Sequence, residues 1–253
     1  MKNGNVKDAK KAEIEFEKKQ MNEQYEIRSN FDPTTDESKW FKYRKDMLSY
    51  LALEKNDKIL DYGSATCEIS EWLASEGYNV TACDISYDLL AFSKKRDKSR
   101  RLKYECADCE ELAFKDEAFD KIICFEILHH LPNPEKGIKE MYRILRRGGR
   151  ILVSEPNSLS PVRRLSEILL KEVSLEKSFC PWNLRKMFEK RFKAIKFGYE
   201  YEPEPCIYRR GGYYHDLYCK FVTKTKIFLP FLGAITLVAE KKDIKEDEYE
   251  KKS

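Results

Sequence analysis

Apolar and polar positions in the middle of the chain alternate between two patterns. Short apolar runs, such as KIL at 58–60 and KIICF at 121–125, are each followed by a stretch with apolar residues at helical spacing. In chain order the predicted elements are helix WFKYRKDMLSYLAL, strand KILDYG, helix EISEWLASEG, strand YNVTACDIS, helix DLLAFSKKRDKS, strands LKYECAD and FDKIICFEIL, helix PEKGIKEMYRILRRGG and strand RILVSEPN. This order is typical of strand–helix–strand units, so it predicts a parallel sheet with helices on both faces.

Glycines and caps set the expected ends of these helices. The second helix is predicted to end at Gly77, and the helix that begins at Pro134 is predicted to run to Gly148 and Gly149. Asp88 is expected to cap the third helix. A sheet of this kind binds its ligands at the carboxyl ends of the strands, so the strand ends are the places to look for a site.

After residue 157 the pattern changes to two helices, PVRRLSEILLKEV and PWNLRKMFEKR, and two strands, FKAIKFGYEYEP and GAITLVAEKK. The predicted organisation is a charged flexible arm at 1–22, one domain at 23–240 and a charged tail at 241–253. A Tyr- and Arg-rich insertion lies within the domain at 202–230, and a connection of that length is usually functional. Neither end of the chain is expected to carry chemistry.

Composition narrows the class of protein. A chain of 253 residues with 42% hydrophobic residues can bury the core of one sizeable domain. The net charge of +4, from 48 basic and 44 acidic residues, gives no support to a general nucleic-acid binder. No apolar run approaches the ~20 residues of a membrane span, and the charged first 20 residues do not read as a signal peptide. Nothing in the sequence indicates an oligomeric state.

Eight cysteines are scattered along the chain, several of them inside apolar runs, which indicates buried free thiols and a reducing cytoplasmic location. Cys106 and Cys109 form a CxxC pair. Because no second pair follows at ligand spacing, a zinc site is not predicted.

The stretch DYGSATCEIS at 61–70 joins the first strand to the second helix, where a nucleotide-binding fold places its glycine-rich loop. A dinucleotide fingerprint needs glycines at positions 63, 65 and 68, but the chain has Gly63, Ala65 and Glu68. The third glycine allows close packing of helix on strand, and glutamate cannot replace it. NAD or FAD binding is therefore disfavoured, and a phosphate-binding P-loop is excluded because no Gly-Lys-Ser/Thr follows.

The same stretch resembles the acidic-x-Gly-x-Gly-x-Gly loop of class I S-adenosylmethionine-dependent methyltransferases of the type 11-like group. The matching positions are Asp61, Gly63, Thr66 and Glu68, whereas Ala65 and Cys67 depart from the pattern. Asp84 and Asp108 stand where the family contacts the ribose and the adenine, and the stretch from 119 to 157 resembles the family's fourth and fifth strands. The resemblance covers residues 40–157 well.

The resemblance implies a Rossmann-like, doubly wound, seven-stranded α/β sheet, mostly parallel with an antiparallel last strand. It implies S-adenosyl-L-methionine as the cofactor. The cofactor-binding residues that it implies are Asp61, Gly63, Ala65, Asp84, Ile85, Asp108, Cys109 and Phe125.

The chemistry of these residues also allows roles other than those that the resemblance implies. Gly63 allows the closest backbone approach to the ligand, and Ala65 is tolerable if its φ is negative. Cys67 is harder to place, because its Cβ and sulfur must fit near the ligand or under the helix. Asp108 could instead cap a turn, and Asp61 is expected to hold the loop through backbone hydrogen bonds.

Glu126, His129 and His130 follow the fourth strand and are expected to face the cleft. Some quinone-biosynthesis O-methyltransferases bind a divalent metal through an acidic-x-x-acidic-His pattern, but here His129 stands at the second acidic position. The sequence therefore predicts no metal. Because an unperturbed histidine has a pKa near ~6.5, His129 and His130 are predicted as candidate general bases.

Three residues are predicted to contact the methyl acceptor: Glu155, Asn157 and Arg209. Glu155 and Asn157 end the fifth strand, where the alternative is a plain strand terminus followed by an Asn cap. Arg209 lies in the insertion and would meet an anionic group, or would simply be solvated. The segment 40–44 either closes over the cofactor or belongs to the core.

The predicted function is methyl transfer to a small-molecule, lipid or saccharide acceptor. One alternative is a nucleic-acid methyltransferase, although FEILHHLPNP stands where many base methyltransferases carry an Asn-Pro-Pro-Tyr type motif. The other alternative is a binding protein that keeps the fold without turnover.

Overall fold

A computed structural model describes residues 38–161, 178–200 and 233–243, together with Asp8, Lys10, Lys11, Ala12, Ile14, Glu15, Lys19, Asp32 and Thr35. The strands form one seven-stranded sheet in the order β3-β2-β1-β4-β5-β7-β6. Their bounds are β1 Lys58–Tyr62, β2 Asn79–Asp84, β3 Lys103–Cys106, β4 Phe119–Phe125, β5 Leu145–Pro156, β6 Phe192–Glu200 and β7 Ala234–Lys241.

The first five strands run parallel, whereas β7 is antiparallel to both of its neighbours, β5 and β6. The parallel strands β1 and β4 are central and are buried along nearly their whole length. The predicted Rossmann-like sheet, mostly parallel with an antiparallel last strand, is confirmed. Because β1 pairs with both β2 and β4, the chain reverses its direction of progress across the sheet at β1, and a ligand cleft is expected beside that strand.

Five α-helices within the described ranges cover the sheet: α1 Lys39–Leu48, α2 Glu68–Ser75, α3 Tyr87–Arg96, α4 Pro134–Ile144 and α5 Pro181–Glu189. One core, which α4 and α5 join with Ile138 and Phe188, lies on one face of the sheet. A second core, which α1 and α2 join with Phe41 and Leu73, lies on the other face. This two-sided burial explains why the central strands read as continuous apolar runs.

The helix ends differ in how well the sequence predicted them. Gly77 follows α2 at φ +87°, as a C-terminal glycine does. By contrast, α4 ends at Ile144 and not at the glycine pair, because fully buried Leu145 already pairs with Phe119 as the first residue of β5. The glycines lie in an irregularity before the regular pairing resumes at Arg150.

Several predictions fall outside the described residues. These are most of the predicted helix at 161–173, the insertion at 202–230, most of the arm and nearly all of the tail. In the part of the chain that the structure describes, no helix combines the length and apolar character needed to cross a membrane.

Candidate cofactor and active site

A cleft opens beside β1, at the carboxyl ends of the strands. Five of the eight predicted cofactor-binding residues line it: Gly63, Asp84, Ile85, Asp108 and Cys109. Its other lining residues are Lys10, Ile127, His130, Leu131 and Pro132. The cleft therefore brings the ends of β1 and β2 together with the segments that follow β3 and β4.

The loop between β1 and α2 has a left-handed backbone at three positions. The φ angles are +73° at Gly63, +44° at Ala65 and +58° at Cys67. The condition under which alanine at position 65 would be tolerated without strain, a negative φ, is therefore not met, and both non-glycine residues lie in a region that a Cβ disfavours. A Cβ at Gly63 would lie 2.4 Å from Cγ1 of Ile127, so this position requires glycine for two reasons.

Hydrogen bonds to the end of β2 hold this loop. The backbone N–H groups of Gly63 and Ser64 both donate to the carbonyl of Cys83 at 2.9 Å. The N–H of Ala65 donates to Oδ2 of Asp84 at 2.8 Å, and the N–H of Ser86 donates to Oδ1 at 2.9 Å. Asp84 thus joins the loop to the start of α3.

The residue that caps α3 differs from the predicted one. Ser86 occupies the N-cap position, and Asp88 lies in the first turn of the helix. The prediction of Asp88 as the cap is therefore wrong. Asp84 is 7% exposed and lines the cleft.

Cys67 points away from solvent and belongs to the core under α1 and α2. Its thiol donates to Oγ of Ser64 at 3.4 Å, and burial raises the pKa of the thiol well above its usual value. The sulfur therefore fits under the helix as a small apolar group, and it is not a reactive nucleophile.

Asp61 lies at the base of the loop and is 5% exposed. Its Oδ2 accepts a hydrogen bond from Oγ of Ser70 at 2.6 Å, so the interaction that the structure gives it is with a side chain of α2. Burial raises the pKa of Asp61 to about 6, and the nearby Arg44 acts in the opposite direction. Asp61 joins β1 to α2 and is not among the residues that line the cleft.

Asp108 caps a turn, as one of the two interpretations of the sequence had it, and it also lines the cleft. Its Oδ1 accepts a hydrogen bond from the N–H of Glu110 at 2.9 Å. The ammonium of Lys10 pairs with Asp108 and lies 3.0 Å from Oε2 of Glu110. Lys10 belongs to the arm, which is predicted to carry no chemistry, and it lines the cleft.

Arg44 on α1 contacts residues at the end of β4 through an ion pair and through the face of an aromatic ring. Its guanidinium forms an ion pair with Glu126 and lies 4.4 Å from the ring centroid of Trp40 and 4.9 Å from that of Phe125. Glu126 has a φ of +56°, which is a strained conformation for a non-glycine residue and is common at functional sites. Phe41, in the same segment, is fully buried in the core.

His129 and His130 differ in their surroundings. Nδ1 of His129 lies 2.7 Å from Oε2 of Glu155, and both side chains are nearly inaccessible to solvent, at 3% and 0% exposure. His130 lines the cleft, and its ring centroid lies 4.0 Å from that of His129. Only His130 therefore fits the expectation of a histidine that faces the cleft.

Glu155 also accepts the N–H groups of Ile127 and Leu128 on Oε1, at 3.0 and 2.8 Å. Asn157 is fully buried, and its Oδ1 accepts the N–H of Leu159 at 3.0 Å, which is the turn-forming alternative. Arg209 lies outside the described residues. Among the residues that the structure places, no group of three or more His, Cys, Asp or Glu side chains could hold a metal ion.

The sheet order and the cleft at the β1 switch point define a Rossmann-like methyltransferase fold. Residues 60–153 match the family described as Methyltransferase domain. This region, about a third of the chain, is thus similar to the domain of class I methyltransferases, enzymes whose cofactor is S-adenosylmethionine.

Curated relatives support the same region. The chain is 34% identical over 105 residues to a ubiquinone biosynthesis O-methyltransferase of Coxiella burnetii, covering 41% of this chain and 45% of that protein. It is 32% identical over 121 residues to a demethylmenaquinone methyltransferase of Clavibacter sepedonicus, covering 47% and 49%. The chain thus spans less than half the length of these relatives.

Solved structures extend the likeness of fold over most of the chain. A SAM-dependent methyltransferase of Methanosarcina mazei aligns with a TM-score of 0.60 at 19% identity, covering 78% of this chain and 96% of that one. The cyclase SpnF aligns with a TM-score of 0.59 at 18% identity, covering 84% and 85%. At such identities the likeness concerns the fold alone.

Proposed function

We propose that the protein transfers a methyl group from S-adenosylmethionine to a small-molecule acceptor. The observation that carries the proposal is the carboxylate of Asp84 in the cleft, fixed by the N–H of Ala65 and the N–H of Ser86. A carboxylate can accept several hydrogen bonds, and one at the end of β2 would accept those of the two ribose hydroxyls. Gly63 in the same cleft allows the close backbone approach that the methionine part needs.

Two further charged residues would orient the cofactor. Asp108 faces the cleft and would accept a hydrogen bond from the adenine amino group once Lys10 moves aside. Arg44 interacts with Asp61 and Glu126, so its guanidinium lies close to the loop and would bind the carboxylate of the methionine part. When bound, S-adenosylmethionine supplies an electrophilic methyl group, and the chain's task is to align the acceptor and exclude water.

His130 is the proposed general base, because it lines the cleft at the end of β4. His129 would act as a positioning residue, since Glu155 fixes its Nδ1 and its ring lies against that of His130. A histidine base suits an acceptor hydroxyl that gives up its proton readily, such as a phenol. The names of the curated relatives, which include a ubiquinone O-methyltransferase, agree with that acceptor class.

Binding of S-adenosylmethionine and of its demethylated product to the intact protein, measured by calorimetry, is the first test. The proposal expects a Kd at or below about 1 mM, the upper end of usual enzyme affinities. Absence of binding at that concentration would refute it.

The acceptor is then tested with cofactor that carries a labelled methyl group. Incubation with a panel of phenols, using the matching O-methyl ethers as controls, should label the phenols alone. If the phenols stay unlabelled, the same assay on fractionated cell extract identifies the pool that gains the label. Label in nucleic acid would favour the alternative, and binding without transfer to any pool would favour a non-catalytic protein.

A further inference from the structure

Arg96, the last residue of α3, reaches across to the cofactor loop from outside the cleft. Its Nη2 donates to the carbonyl of Thr66 at 2.6 Å. Its Nε and Nη2 also contact both carboxylate oxygens of Glu71 on α2, at 2.8 to 3.2 Å. The side chains of Arg96 and Glu71 are 9% and 3% exposed, so this is a buried and well-aligned pair.

Thr66 lies between the two non-glycine residues of the loop that adopt a left-handed backbone, Ala65 and Cys67. A Cβ disfavours this backbone, so the loop needs contacts that hold it in place. The N–H of Ala65 has such a contact in Asp84, and the N–H of Cys67 donates to the carbonyl of Ser64 at 2.8 Å. The Thr66 carbonyl, between them, is held by Arg96.

A charged donor makes this contact stronger than an ordinary hydrogen bond between neutral groups. Glu71 receives Nε and Nη2 of the same guanidinium, which fixes the direction in which Arg96 points. Burying two charges costs desolvation energy, so such a pair is weak evidence for a role in overall stability. The geometry suits a role in holding one conformation of the loop.

We propose that Arg96 is a positioning residue for cofactor binding: it holds the loop in the left-handed conformation that Ala65 and Cys67 would otherwise disfavour. Glu71 orients Arg96 for this purpose. The inference rests on the proposed function, because the quantity that Arg96 controls is affinity for S-adenosylmethionine. In a loop of the family pattern, glycines allow this backbone conformation. Here a buried arginine outside the cleft would stabilise it instead.

The test is a double-mutant cycle between Arg96→Met and Ala65→Gly, read out as the Kd for S-adenosylmethionine. Arg96→Met should raise the Kd about tenfold in the native loop and only about threefold in the Ala65→Gly loop, because glycine tolerates the backbone without support. Arg96→Lys should fall between the native protein and Arg96→Met, since it keeps the charge but loses the bidentate contact. Lys95→Met, an exposed neighbour on α3, is the matched control and should leave the Kd unchanged.

Hydrogen exchange of the ligand-free protein gives a second readout that does not need cofactor. Arg96→Met should speed exchange of the loop amides at 65–67, whereas the amide of Leu152 in β5 should exchange as before. If loop exchange and the Kd both match the native protein, or if the two substitutions act additively in the cycle, the proposal is wrong. If the native protein does not bind cofactor but the loop amides still respond, the proposed function fails while the role of Arg96 in holding the loop stands.

Discussion

The proposed cofactor side of the cleft, at the ends of β1 and β2, differs from the proposed acceptor side, at the ends of β4 and β5. On the cofactor side, Asp84 accepts backbone N–H groups at 65 and 86, which lie 19 and 2 residues away. On the acceptor side, Glu155 is fully buried and holds residues 26 to 28 positions before it. The Asp84 carboxylate lines the cleft, whereas the Glu155 carboxylate is fully buried and bonded to groups of the protein.

This difference teaches that position at a strand end does not by itself make a residue a ligand contact. Asp84 and Glu155 both stand at the carboxyl end of a central strand, but only Asp84 lines the cleft. The substrate-contact role of Glu155 and Asn157 stays a prediction, and burial with internal partners favours positioning for both. Contacts to the acceptor are therefore expected from residues that line the cleft, such as His130.

Removal of the Glu155 carboxylate should have the largest effect of these substitutions, and the effect should be on stability. A small effect would contradict the structural role that separates Glu155 from Asp84. Glu155→Ala leaves the buried N–H of Leu128, the half-buried N–H of Ile127 and the ring of His129 without this acceptor, so we expect a loss of about 4 kcal/mol of unfolding free energy. Denaturant unfolding measures it. Glu155→Gln keeps an acceptor oxygen and should lose less; a loss under about 1 kcal/mol for Glu155→Ala would contradict the assigned network.

The buried Asp61 predicts a pH dependence of stability on the cofactor side. Burial raises its pKa from 3.8 to about 6, so the folded protein binds the proton more tightly than the unfolded chain. Its contribution to stability is therefore fully present below about pH 4 and is lost as pH rises to about 6.

Asp61→Asn stays neutral and lacks this loss, so its stability relative to the native protein should improve by about 3 kcal/mol from pH 4 to pH 7. Glu71, whose pKa burial raises to about 7, acts in the same direction in both proteins and cancels in the difference. Unfolding at several pH values measures it. Parallel profiles would show that Asp61 does not titrate as assigned.

Replacement of His130 and of His129, one at a time, should distinguish a residue that acts in catalysis from one that supports the structure. His130→Ala should lower kcat about 100-fold, the lower end of the usual contribution of a general base, with little change in cofactor Kd. His129→Ala should instead reduce stability, because it removes a partner of buried Glu155. Steady-state kinetics and thermal unfolding distinguish the two, and an equal kcat in His130→Ala and the native protein would exclude a base at that position.

Loss of the Asp84 carboxylate should give the smallest effect in free energy, yet the most direct one on cofactor affinity. Asp84→Ala should raise the Kd for S-adenosylmethionine at least about tenfold, since it removes the ribose acceptor and one support of the loop. Asp116→Ala, at an exposed surface carboxylate, is the control. Unchanged affinity in Asp84→Ala would refute the assigned pose.

Much of the fold was predictable because its signals are local. The apolar runs of β1 and β4, and Gly77 after α2, were recognised from neighbouring residues alone. The end of α4 was not, because the decisive fact is the pairing of Leu145 with Phe119, which lies 26 positions earlier.

In the site, Asp84 and Gly63 were predictable from motif position, whereas the roles of Arg96 and Lys10 were not. Arg96 acts on Thr66 from 30 residues away, and Lys10 contacts Asp108 across 98 residues. Contacts between residues so far apart in the sequence leave no short sequence pattern from which they could be predicted. The left-handed backbone at Ala65 was not predicted either, because glycine is the usual sequence signal for this conformation and alanine gives no such signal.

The contact between Gly63 and Ile127 has a consequence for engineering. Ile127 presses against the glycine of the cofactor loop, and its N–H is held by Glu155 on the acceptor side. Redesign of acceptor specificity by substitution at position 127 would therefore disturb cofactor affinity at the same time. Libraries aimed at a new acceptor should vary Leu131 and Pro132, which also line the cleft, and leave Ile127 and the proposed base His130 fixed.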